Sequence, residues 1–112
     1  MTGGGAGARG GGGGERVASV CVPALGEDGD LARTRELAAA LFEATPRVAV
    51  AGPGLCRADA RGWERHGGGE ALARRLHRAV RRRGTDPAGV GIAGSGVAAD
   101  AAARLAILRE QW

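Results

Sequence analysis

TPRVAVAGPGLCRADARG, residues 45–62, is the stretch on which the fold turns. Val48 opens a short apolar run, and Ala51-Gly52-Pro53-Gly54 carries turn chemistry: proline presets its own φ, and glycine accepts a positive one. Leu55 begins a returning strand, so the segment predicts a hairpin of residues 48–51 and 55–60. Pro46 disfavours helix at the residue before it, so any preceding helix must stop by Thr45.

The flanks follow from this hairpin. Upstream, RVASVCV (residues 16–22) is short, β-branched and halted by Pro23, which predicts a buried strand. After a polar loop, Asp30 is suited to N-cap a helix over residues 31–44, with Leu37, Leu41 and Ala44 on one stripe. Downstream, a glycine-rich connection over residues 62–69 leads to a helix over residues 70–83. Its apolar stripe is Leu72, Leu76, Ala79 and Val80, with Gly84 in the expected position at its C-terminal end. Residues 90–93 predict a fourth strand and residues 97–110 a third helix.

The order βαββαβ plus a C-terminal helix defines an α/β chain of the α+β kind, the ferredoxin-like split βαβ. The expected architecture is a four-stranded sheet with helices on one face. Strands 16–22 and 55–60 should be neighbours at its centre, with Cys21 and Cys56 reduced on adjacent strands.

A chain of 112 residues makes one small domain, placed here at residues 15–112. Residues 1–14, MTGGGAGARGGGGG, have almost nothing to bury and read as a disordered leader. No apolar stretch suits a secretory signal or approaches the roughly 20 residues that span a bilayer. The expectation is a cytoplasmic protein with no membrane partner. Two cysteines without a neighbouring histidine lack zinc-site spacing, so no metal and no other cofactor is expected.

All sixteen basic residues are arginine, and the net charge is +4. Residues 57–83 hold nine arginines against Asp59, Glu64 and Glu70, so this one segment carries the whole positive surplus. Arg74, Arg75, Arg78, Arg81 and Arg82 cover the polar side of the helix over residues 70–83, a candidate surface for a phosphate backbone.

Local phrases add a resemblance. Thr45-Pro46-Arg47-Val48 and residues 55–62 stand where a Y-family (UmuC-like) DNA polymerase palm has "SPxVE" and then "SIDEAFLDVTG"-like sequence. Gly91-Ile92-Ala93 and residues 94–102 resemble the family's "GIAxNKxLAKxA", and RVASVCVP resembles the first strand of the ImuB-like accessory branch. The resemblance covers most of residues 16–106 and lacks the fingers, thumb and little finger. Its catalytic acids are replaced. Cys21 takes the place of the first-strand aspartate, and Gly54 and Leu55 that of the adjacent acid pair. Asp100 replaces the lysine that meets the triphosphate, while Asp59 matches a structural aspartate.

Such polymerases need carboxylates to hold two divalent ions. The resemblance therefore implies an inactive palm with no catalytic residues and no metal. Its expected role is binding in DNA repair or translesion synthesis, with DNA contacted through its backbone without sequence preference and a repair or polymerase protein as partner. The rival reading is a small ferredoxin-like regulatory or ligand-binding module that dimerises through its sheet.

Other features carry less. Gly94-Ser95-Gly96-Val97-Ala98-Ala99 matches GxGxxA, yet too few residues follow to complete a dinucleotide-binding unit, and the start of a helix is the better reading. His66 and His77 lack triad partners and are expected to face solvent. Trp63 and Trp112 suit core capping or an oligomer contact better than base stacking.

Overall fold

The computed structural model describes residues 14–110. The strands are β1 (Val17–Cys21), β2 (Val48–Gly52), β3 (Leu55–Asp59) and β4 (Gly89–Ala93); the helices are α1 (Ala32–Leu41), α2 (Gly68–Arg83) and α3 (Gly96–Glu110). They form one antiparallel sheet in the order β2-β3-β1-β4. This is the split βαβ arrangement, with β1 and β3 central as expected. The leader expected over residues 1–14 falls, apart from Gly14, outside the described residues, as does Trp112.

Alternation along the strands divides the sheet into two faces. Ala18 and Val20 of β1, Cys56 and Ala58 of β3, and Val90 and Ile92 of β4 join the main core with Leu37 and Leu41 of α1 and Leu72 and Leu76 of α2. The two crossover helices thus share one face. Every apolar stripe residue read from the sequence is buried: Leu37, Leu41, Ala44, Leu72, Leu76, Ala79 and Val80.

The third helix takes the other face. Gly89 and Gly91, two residues apart in β4, lie so close to α3 that a Cβ on either would collide with backbone atoms of Ala103. Cys21, Ala103 and Ile107 form a second, smaller apolar cluster there with Leu55. The single-sided arrangement therefore holds for α1 and α2 and not for α3. Sequence periodicity does not assign its face, because apolar residues fall on both sides of α3 and the buried side also carries Asp100. Ala99, Ala103 and Ile107 point in, while Val97, Leu105 and Leu108 point out and stay exposed.

The hairpin tip is tied to the helical layer. Gly54 sits at a φ of 71°, as a turn with Pro53 before it requires. Its amide donates 2.8 Å to the buried Thr34 hydroxyl of α1. Cys21 and Cys56 are free thiols on opposite faces: Cys21 is paired in register with Leu55, and Val20 with Cys56. Burial raises both pKa values, that of Cys56 to about 11, so neither is a ready nucleophile at neutral pH.

The start of α1 departs from expectation in detail. Asp30 lies one residue before the N-cap, Leu31, and its carboxylate accepts the Ala32 amide at 2.8 Å, serving the same donor from further out. Gly84 ends α2 as expected, in extended backbone with a φ of 168°. The first turn of α2 is served by Glu15, just ahead of β1, whose carboxylate accepts the Gly69 amide at 3.2 Å. That suits the positive end of the helix dipole.

Candidate nucleic-acid interface

Burying Leu72, Leu76, Ala79 and Val80 forces the intervening side chains of α2 outward. Arg74, Arg75, Arg78 and Arg82 are all exposed, as the sequence requires. Arg81 is half-buried, because its guanidinium folds back to donate to the Asp86 carbonyl at 2.8 Å. It belongs to the end of the helix more than to the open surface.

Neighbours grade the remaining arginines. On the α1 side, Arg82 pairs with Glu43 at 2.5 Å and Arg83 with Glu36 at 3.6 Å, so part of this charge is already answered. Arg75 lies over the Trp63 ring, 5.6 Å from its centroid, while Trp63 packs against the main core. Trp63 is a core cap, as preferred above. Arg74 and Arg78 make no ion pair among the described residues and hold the centre of the patch.

The other side of α2 faces α3 across the β4 edge. A groove of about 710 Å³ runs there, bordered by Arg74, Arg78 and Arg81 of α2 and Arg109 of α3. His77 and Glu110 span its end, with Nε2 and Oε2 3.1 Å apart, so His77 is half-buried between the helices and not solvent-facing as expected. His66 is exposed, edge-on to Trp63. Arg109 joins the surface without having been singled out from the sequence. Its only signal was its place in the last turn of α3, where a cation favours the helix dipole.

The positions at which the resemblance expects acids converge in space. Cys21 and Leu55 are register partners, and Gly54 precedes Leu55 at the turn. Leu55 packs on the cluster formed by Cys21, Ala103 and Ile107, beneath α3. A Cβ at Gly54 would strike the Val22 carbonyl, so this backbone has no room for a carboxylate there. Among the described residues no three His, Cys, Asp or Glu side chains gather as metal ligands.

Asp100, at the position of the family's lysine, points into the sheet. It accepts 2.5 Å from the Ser19 hydroxyl and 3.1 and 2.5 Å from Nε and Nη2 of Arg57. Burial pushes its pKa up, but the hydrogen bonds from Arg57 and Ser19 and the charges of Arg57 and Arg104 outweigh this and leave it below the ordinary value. Its charge is thus answered inside the fold. Asp59 is likewise structural: hydrogen bonds from the Arg61 side chain and amide, then from Arg47, hold its carboxyl far below the usual range.

A folded pKa below the unfolded value means that ionised Asp100 contributes its stability above the unfolded value, about pH 4. The contribution is lost as pH falls below that, through the depressed folded value. Asp100→Asn should therefore cost about 1–2 kcal/mol at pH 7, the lower part of the range for a broken ion pair because the Arg57 side chain is 39% exposed. It should also flatten the stability curve between about pH 5 and pH 3. Urea denaturation across that range checks both.

No family model matches the chain, and neither a curated protein nor a solved structure matches it.

Proposed function

We propose that the chain is a non-catalytic, palm-like domain that binds nucleic acid through α2 and acts in DNA repair or translesion synthesis. The observation that carries this reading is the surface of α2. Arg78 stands exposed between a groove shared with α3 and a cleft shared with α1, with exposed Arg74 and Arg109 on the groove and Arg75 and Arg82 on the cleft. Guanidinium groups so spaced attract successive phosphates by releasing counterions, without reading bases. The ligand class is the DNA backbone, and a repair or polymerase protein is the proposed partner.

The split βαβ fold agrees with a palm but hosts many functions, so the polymerase kinship rests on the local phrases. Their departures support a binding role: an apolar contact of Cys21 and Leu55 stands where metal-binding acids are expected, and Asp100 is tied to Arg57. The protein is proposed to work in the cytoplasm; no helix among the described residues is long and apolar enough to cross a membrane.

The test is fluorescence anisotropy with a labelled primer-template, run beside a primer-extension assay with magnesium and all four nucleotides. The expected result is DNA binding at low salt, independent of sequence, with no extension. Extension that survives repeated purification, or no binding at low salt, would contradict the proposal.

One observation favours the rival regulatory module: the second face of the sheet is left uncovered over β2, where Ala49 and Ala51 are exposed. Analytical ultracentrifugation showing a dimer that Ala49→Glu dissociates would bring that reading forward.

A further inference from the structure

A shallow groove of about 720 Å³ lies at the end of the sheet where β1 begins and β3 ends. Its walls carry four guanidinium groups, Arg16, Arg47, Arg57 and Arg61, against the single carboxylate of Asp59. Each of three arginines is held by an acid. Arg47 and Arg61 grip Asp59 at 3.2 and 2.8 Å, and Arg57 grips Asp100. Gly96 at the start of α3 allows this last pair, because a Cβ there would press on the Arg57 guanidinium. Arg16 makes no ion pair among the described residues and is exposed beside them.

The remaining lining is apolar. Val17, Pro46 and Phe42 contribute, and Phe42 at the end of α1 is 52% exposed, leaving about half of a large apolar residue open to the groove side. Fixed guanidinium forks suit a phosphate or carboxylate, whereas apolar surface with an accessible ring suits a flat hydrocarbon or heterocycle. The volume is in the range of small-molecule sites.

We infer that this groove binds a small anionic ligand with a planar apolar body, of the aryl phosphate or nucleoside monophosphate class. Arg16 and the exposed edges of Arg57 and Arg61 take the anion, and Phe42 with Pro46 takes the ring. The site shares no residue with the α2 surface, so it stands or falls separately from the DNA-binding proposal.

The test titrates 1-naphthyl phosphate into the full chain, followed by calorimetry and by backbone amide shifts. Parallel titrations use 1-naphthoate, 1-naphthol and inorganic phosphate. The aryl phosphate should saturate the protein and move the amides of Val17, Ala49 and Gly94. Naphthol and inorganic phosphate should each bind about tenfold more weakly, since each lacks one half of the recognition. Naphthoate should bind less tightly than the phosphate, and equal affinity would overturn the phosphate class.

Arg16→Gln and Phe42→Ala change exposed side chains, so both should fold, and each should weaken naphthyl phosphate about five- to tenfold. Arg74→Glu with Arg78→Glu should leave this binding unchanged. Absence of saturable binding, indifference to both groove variants, or shifts confined to α2 would overturn the inference.

Discussion

Gly91→Val should be among the most damaging single substitutions outside the apolar core, costing roughly 3 kcal/mol or more. A Cβ at Gly91 would meet the Ala103 amide nitrogen, the Ala99 carbonyl oxygen and the Ala102 Cβ. Two of these are helix backbone and cannot give way, so α3 must lift from the sheet. Lifting it would expose Cys21, Ala103 and Ile107 and pull Asp100 from Ser19 and Arg57. The loss is a large share of the ~5–15 kcal/mol that holds a typical domain together. Gly52→Ala is the matched control. Nothing lies within 4 Å of a Cβ there, so its effect should stay within about 0.5 kcal/mol. Denaturant midpoints of the two variants, with unchanged slopes for the control, check the expectation.

The second large effect is on binding. Arg74→Glu with Arg78→Glu should reduce affinity for a primer-template at low salt by about a hundredfold, because two phosphate contacts are replaced by two repulsions. Stability should scarcely move, since both side chains are exposed and neither is in an ion pair among the described residues. Arg82 is a weaker choice for reversal. Its partner Glu43, 2.5 Å away, would then face another carboxylate, and a change in folding could be mistaken for a change in binding. Anisotropy titrations alongside thermal melts separate the two.

The layout of the sheet was legible from residues that act locally. Pro23, Pro46, Pro53 and Gly54 punctuate the chain, and the apolar stripes of α1 and α2 follow a helical period, so element order and the shared face of these helices could be read directly. The position of α3 could not. Its apolar residues fall on both sides and its buried side carries Asp100, so the pattern assigns no face; the informative residues are Gly89 and Gly91, whose two-residue spacing puts both on one side of β4 and lets a helix approach.

The binding surface was legible in part for the same reason. Periodicity on α2 is enough to turn Arg74, Arg75, Arg78 and Arg82 outward. It says nothing of Glu43 and Glu36, which meet that helix from α1, or of Arg109, which reaches the groove from α3. The Ser19–Asp100 bond joins residues 81 positions apart. Neither residue type nor local spacing announces such a contact; it exists because α3 lies across β1.

Salt dependence is the most direct test of a phosphate-binding role for α2. With Arg74, Arg75, Arg78 and Arg109 each meeting a phosphate, a plot of log K against log salt concentration should be linear with a slope of roughly −3 to −4. The double reversal of Arg74 and Arg78 should shrink the slope by about 2. A flat plot, no affinity at low salt, or an unchanged slope in the variant would contradict the role assigned to these arginines.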